Sequence, residues 1–137
     1  MTSVMGQNET LRVALDMTEE WDKATDGASG LTMGCVVVRT EFVQQNKEAL
    51  DLFLDEYERS VQTVTSAEGL EHAAQLAEQY NIVKAPVARK AIPACNIVFV
   101  QGEQMQQIAG GFLEVLYQAN PKSVGGKLPD ANFYYNR

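Results

Sequence analysis

Gly125-Gly126-Lys127 sits in the stretch "NPKSVGGKLPD", and a glycine pair before a lysine is the raw material of a phosphate-cradling loop. Such a loop needs four residues between a first glycine and a Gly-Lys-Ser/Thr triplet. It also needs a strand before it and a helix start after it, so that backbone amides and the helix dipole converge on the anion. Here Pro121 stands where the first glycine is required and Leu128 follows the lysine. The stretch follows a helical pattern and runs into Pro129. The glycines are expected instead to permit turn conformations beyond a helix end marked by Pro121.

The other chemistry-bearing residues are scattered. His72 is the sole histidine, four residues after Glu68, a spacing that suits a surface contact along a helix. A catalytic histidine needs a nucleophile or an orienting partner, and neither is evident in sequence. Asp16, Glu19, Glu20 and Asp22 surround the sole tryptophan, Trp21. They read first as the acid-rich start of a helix that Trp21 docks onto the core; the alternative is a ligand platform on which Trp21 stacks. Lys84, Arg89 and Lys90 form a local basic cluster, read as a solvated helix face. Cys35 and Cys95 lie in the apolar runs "MGCVVV" and "ACNIVFV" and are expected as small buried thiols rather than a disulfide. Two separated cysteines and one histidine match no metal-ligand spacing. No catalytic group, metal or cofactor is expected, and the chain is not read as an enzyme.

Hydrophobic periodicity places the elements around these residues. Three runs read as strands, at 11–17, 31–39 and 95–100, and the continuous valines of the second suggest burial on both faces. A short helical turn opens at Thr18 and another at Thr40, each threonine serving as N-cap. Leu50, Phe53, Leu54, Tyr57, Val61 and Val64 form an apolar stripe on a long helix at 47–64. The "TSAE" at 65–68 has capping-box spacing, and the helix after it shows a stripe of Leu70, Ala73, Ala74, Ala77 and Tyr80 suited to close packing. Pro86 and Pro93 bracket a short helix. A third long helix is expected at 103–119, with Gly110-Gly111 inside it costing about 1 kcal/mol each relative to alanine; a close neighbour is one reason to keep them. The tail is expected as loop, and Phe133, Tyr134 and Tyr135 are apolar enough to dock against the body or a second chain.

At 137 residues the chain suggests one domain with a real core. A net charge of −7 opposes nucleic-acid binding and a polybasic membrane role. No run reaches the length of a membrane span, and the N-terminus lacks the pattern of a signal peptide.

Four stretches, "LRVALDMTEEWDK", "GCVVVRTEFVQQNKEALDLFLDEYERS", "KAPVARKAIPACNIVFVQGEQM" and "LYQANPKSVGGKLPDANFYY", together resemble the C-terminal portion of solute-binding proteins of bacterial ABC importers. The group is the type II periplasmic binding proteins, among them the nitrate, sulfonate, taurine and thiamine-precursor binders. The resemblance implies an α/β fold, three-layer αβα and partial, with residues 1–137 as one domain comprising the hinge and the C-terminal part of the first lobe. It implies that 11–16 and 32–38 cross between lobes, and offers Asp16, Trp21 and Thr32 as ligand-binding residues. Relatives are about twice as long, so the preceding half and its lipoprotein signal are expected to be absent here. The pyrimidine-synthase relatives need a cofactor lysine and a donor histidine that do not map, and His72 is not at a matching place.

The implied function is the substrate-binding component, as a fragment or truncated homologue, of an ABC importer. It takes a small organic solute and hands it to an ABC permease outside the cytoplasm, closing about a hinge. The alternative is a stand-alone interaction or assembly module without a transport role. Few strands and an apolar tail lead to a further expectation, that the chain forms a homodimer.

Overall fold

The structure, a computed structural model, describes residues 1–137. Seven α-helices carry the chain: α1 Thr2–Gln7, α2 Met17–Thr25, α3 Thr40–Gln45, α4 Lys47–Thr65, α5 Leu70–Gln79, α6 Ala85–Ala91 and α7 Gly102–Ala119. Short 3₁₀ turns follow at Ile92–Ala94, Pro121–Val124 and Ala131–Phe133. Helical residues make up 62% of the chain and strands none, so the fold is all-α.

This corrects the α/β expectation and its three-layer αβα architecture. The runs at 11–16, 31–39 and 96–101 are strand-like in composition, but their backbones enter no ladder. Valine and isoleucine favour an extended backbone, yet a strand exists only when its N–H and C=O groups find a neighbouring strand. The expected burial of Cys35 and Cys95 fails for the same reason. With no sheet to enclose them, both thiols are free and exposed.

The chain divides into two compact units, Met1–Arg12 with Val38–Phe99, and Val13–Val37 with Val100–Arg137. The three passages from one unit to the other fall inside the three extended runs.

In the first unit the core is built on small residues. Ala74 of α5 is fully buried against Ala85 and Ala88 of α6, with Ala77, Val83 and Ile92 around them. The alanine stripe read from the sequence therefore does permit close helix packing, although Tyr80 at its end points into solvent. Asn81 takes the left-handed conformation (φ 56°) between the helices, and the Ile82 N–H donates to the Ala77 carbonyl at 2.8 Å. Pro86 occupies the first turn of α6, where its missing N–H is harmless. On α4, Leu50 and Val61 are buried, while Phe53 and Tyr57 stack at 5.8 Å and Tyr57 meets Phe99 edge-on at 5.8 Å. Gly69 is the N-cap of α5 and has no side-chain cap, and Ser66, not Thr65, ties the turn before it. Its Oγ accepts the Gly69 N–H at 2.9 Å, whereas the Thr65 hydroxyl turns back to the Val61 carbonyl at 2.8 Å.

The second unit is organised on α2 and α7. Asp16 rather than Thr18 caps α2, its Oδ1 accepting the Thr18 N–H at 2.9 Å and the Glu19 N–H at 3.4 Å. Trp21 packs on Phe112 with ring centres 5.1 Å apart and donates from Nε1 to the Ser29 carbonyl at 3.0 Å. Gly125 and Gly126 take left-handed conformations (φ 78° and 85°), and the Gly126 N–H donates to the Pro121 carbonyl at 2.8 Å. The tail is a turn, as its glycines imply.

Candidate functional site

Each residue singled out in the sequence has a structural position. Asp16 spends a carboxylate oxygen on the α2 cap, Trp21 is half-buried on Phe112, and Thr32 is half-buried at the start of the second extended run. All three belong to the second unit. Phe133 is exposed and meets Tyr134 edge-on at 5.2 Å, while Tyr134 and Tyr135 are half-buried. Tyr134 closes an open groove of about 220 Å³ with Gln106, Gly110 and Leu113 of α7 and the turn at Leu128–Asp130.

His72 is exposed and lines an open groove of about 260 Å³ with Ser60, Thr63 and Leu76. Ser60 and His72 share this groove without a hydrogen bond between them. Glu71, one position before His72, is engaged by Arg89. Its carboxylate takes both arms of the Arg89 fork at 2.6 and 2.7 Å, and these hydrogen bonds hold its pKa below the ordinary 4.5. Lys84 pairs with Glu78 at 3.0 Å. Two of the three residues of the basic cluster are thus paired with acids of α5, Arg89 from α6 and Lys84 from the turn before it. No group of three His, Cys, Asp or Glu side chains comes together where a metal ion could be held.

What stands out is apolar and polypeptide-like. In the run at 31–38, Met33 is 91% exposed and Val37 79%, with Cys35 exposed between them. Leu31 and Thr32 are half-buried, and Val36 and Val38 are less exposed than Val37. Alternate residues of an extended chain point to opposite sides, so Met33, Cys35 and Val37 share one face. Gly27 to Val38 carries no charged residue, in a chain of net charge −7. In the first unit, Val98 is likewise 66% exposed within an extended run. Sequence reasoning identified these runs correctly as apolar but read them as strands of a sheet, and no strand forms there. The available signal was their small number, too few for a covered sheet.

No helix is long and apolar enough to cross a membrane. Comparison with protein-family models, with curated proteins and with solved structures finds no match. The resemblance to type II periplasmic binding proteins is therefore corrected. Those proteins are α/β, whereas this chain has helices and no strands, and no family match supports the assignment.

Proposed function

We propose that this chain is an interaction or assembly module that works by pairing its extended apolar runs with another polypeptide backbone, and not by catalysis. The single observation that carries this reading is the run at 31–38, extended and charge-free, with Met33 and Val37 exposed. Main-chain N–H and C=O groups along such a run supply hydrogen bonds to an added strand, and alternate side chains supply selectivity. Amide hydrogen exchange on the purified protein tests it. Protection at 32–38 that grows with protein concentration over the micromolar range is the expected result. Exchange at the free-chain rate at every concentration overturns the reading.

A second reading keeps the solute-binding role, as the component of an importer that takes a small organic solute. Its support is that Asp16, Trp21 and Thr32 belong to the same compact unit. A thermal-shift screen with small organic solutes separates the two. A rise of several degrees with one solute class, accompanied by a change in Trp21 emission, favours solute binding, since a ligand at a hundred times its Kd stabilises by about 2.7 kcal/mol. A flat screen leaves assembly as the role.

A further inference from the structure

The first passage between the two compact units, at Arg12–Val13, sets a basic residue on an unprotected stretch of backbone. Residues 6–19 are all exposed, and 11–16 lie outside every helix. From Arg12 to Leu15 no backbone N–H or C=O is hydrogen-bonded within the chain. The Arg12 guanidinium is exposed and makes no ion pair. An endopeptidase draws several residues of its substrate into its cleft, so it takes first a stretch with no hydrogen bonds to break. The other basic residues from Lys23 to Lys127 are held. Lys23, Lys47, Arg59, Arg89 and Lys90 lie within helices. At Arg39 the carbonyl that would be attacked accepts the Val43 N–H at 3.1 Å. The Lys84 carbonyl accepts the Val87 and Ala88 N–H groups at 2.9 and 3.0 Å, and the Lys122 carbonyl accepts the Gly125 N–H at 3.3 Å. Lys127 follows the two left-handed glycines of a hydrogen-bonded turn.

We infer that the Arg12–Val13 bond is a processing site for a trypsin-like endopeptidase, whose acidic specificity pocket takes an arginine, and that cleavage there releases the segment 1–12 with α1. This site is independent of the assembly reading. Water adds across the amide. The C–N bond breaks, the oxygen of the water stays on Arg12 as part of a carboxylate, and a proton goes to the Val13 nitrogen, which becomes an amine. Once the bond is cut, the segment is held to the first unit by packing alone. α1 packs on α6, but none of its residues is buried, and Val4 is 56% exposed. At six residues α1 is also too short to persist as a helix by itself. Its departure uncovers the part of α6 beneath it.

Limited digestion of the native full chain with trypsin, read by intact mass at early times, tests the site. The first products should be 1–12 and 13–137, formed about tenfold or more faster than any other cut, because every other bond needs local unfolding first. Arg12→Gln should abolish this cut and Arg12→Lys should keep it, each with unchanged helical circular dichroism. Arg39→Gln should leave it as fast as in the parent. Size-exclusion chromatography of the digest should separate the segment 1–12 from 13–137. A first cut elsewhere overturns the site, and co-elution of the two products overturns the release. Protein recovered from its own cells should carry Val13 as a new N-terminus. An intact Arg12–Val13 bond there overturns the processing role even where trypsin cuts.

Discussion

The Glu78 carboxylate accepts the backbone N–H of Ala85 at 3.2 Å, so a side chain near the end of α5 serves as the cap of α6. Lys84 of the intervening turn reaches the same carboxylate at 3.0 Å. The α6 N-terminus has no cap from its own preceding side chain, so this contact replaces one.

That relationship sets a pH dependence. Hydrogen bonding from Lys84, and then from the Ala85 amide, holds Glu78 below the ordinary 4.5; Arg89 and then Gln75 do the same for Glu71. A carboxylate with a depressed folded pKa contributes stability that is fully present above its unfolded pKa and is lost as pH falls through the folded one. The urea midpoint is therefore expected to hold from neutrality to just above the ordinary glutamate range and to fall below it. In Glu71→Gln/Glu78→Gln the fall should be shallower, and the midpoint at neutral pH lower. Both groups are exposed, so salt should reduce the difference.

Gly69 is fixed by its neighbour. A methyl group there would run into the backbone of Thr63, whose carbonyl carbon stands 2.8 Å from the position it would take and whose carbonyl oxygen is in the way. Thr63 cannot simply step aside, because its carbonyl accepts the Ser66 N–H and hydroxyl at 3.2 and 2.9 Å. Gly69→Ala should lower stability by about 1–3 kcal/mol, the usual range for forced overpacking. Chemical denaturation measures it directly.

Gly110 and Gly111 behave in the opposite way. The expected close neighbours are present, but they leave room. A methyl group on Gly111 would sit 3.6 Å from the Ser29 side chain, and one on Gly110 would sit 3.6 Å from the Tyr134 hydroxyl, both ordinary contacts. Gly111→Ala should therefore raise stability by about 1 kcal/mol through helix propensity alone. An unchanged or lower melting temperature would contradict this account of α7.

Ser29 is 8% exposed, and its Oγ has no hydrogen-bond partner. Its carbonyl, by contrast, accepts from Trp21 and Thr25. Ser29→Ala removes an unpaired hydroxyl and keeps the carbonyl contacts, so stability should rise by about 1 kcal/mol. Trp21→Phe should cost about 0.5–1.5 kcal/mol from the lost indole hydrogen bond, plus the packing lost on Phe112.

The helices were legible because their determinants are local. The stripe of Leu50 and Val61, the alanines of α5, Pro86 in the first turn of α6 and the left-handed Gly125-Gly126 turn each follow from a few neighbouring residues. Caps were less legible. Asp16 and Ser66 each stand beside another plausible capping residue, and only the course of the backbone decides which side chain reaches the free amide. Strands were misread because a strand is not a local object. The valines at 36–38 determine an extended, apolar stretch, but whether it becomes a strand depends on a neighbour whose backbone lies alongside it.

By itself, then, the sequence determined helical preference in six of the seven helical segments, the turn chemistry, three apolar runs outside the helices, and a net charge of −7. Tertiary structure alone decided that Ala74 closes on Ala85 and Ala88, that Trp21 is spent on Phe112 and Ser29, and that Arg89 is spent on Glu71. It also decided that Met33 and Val37 stay uncovered. Propensity acts over a few residues and can be summed along the chain. Burial and pairing depend on which distant segments meet, and no local pattern encodes that.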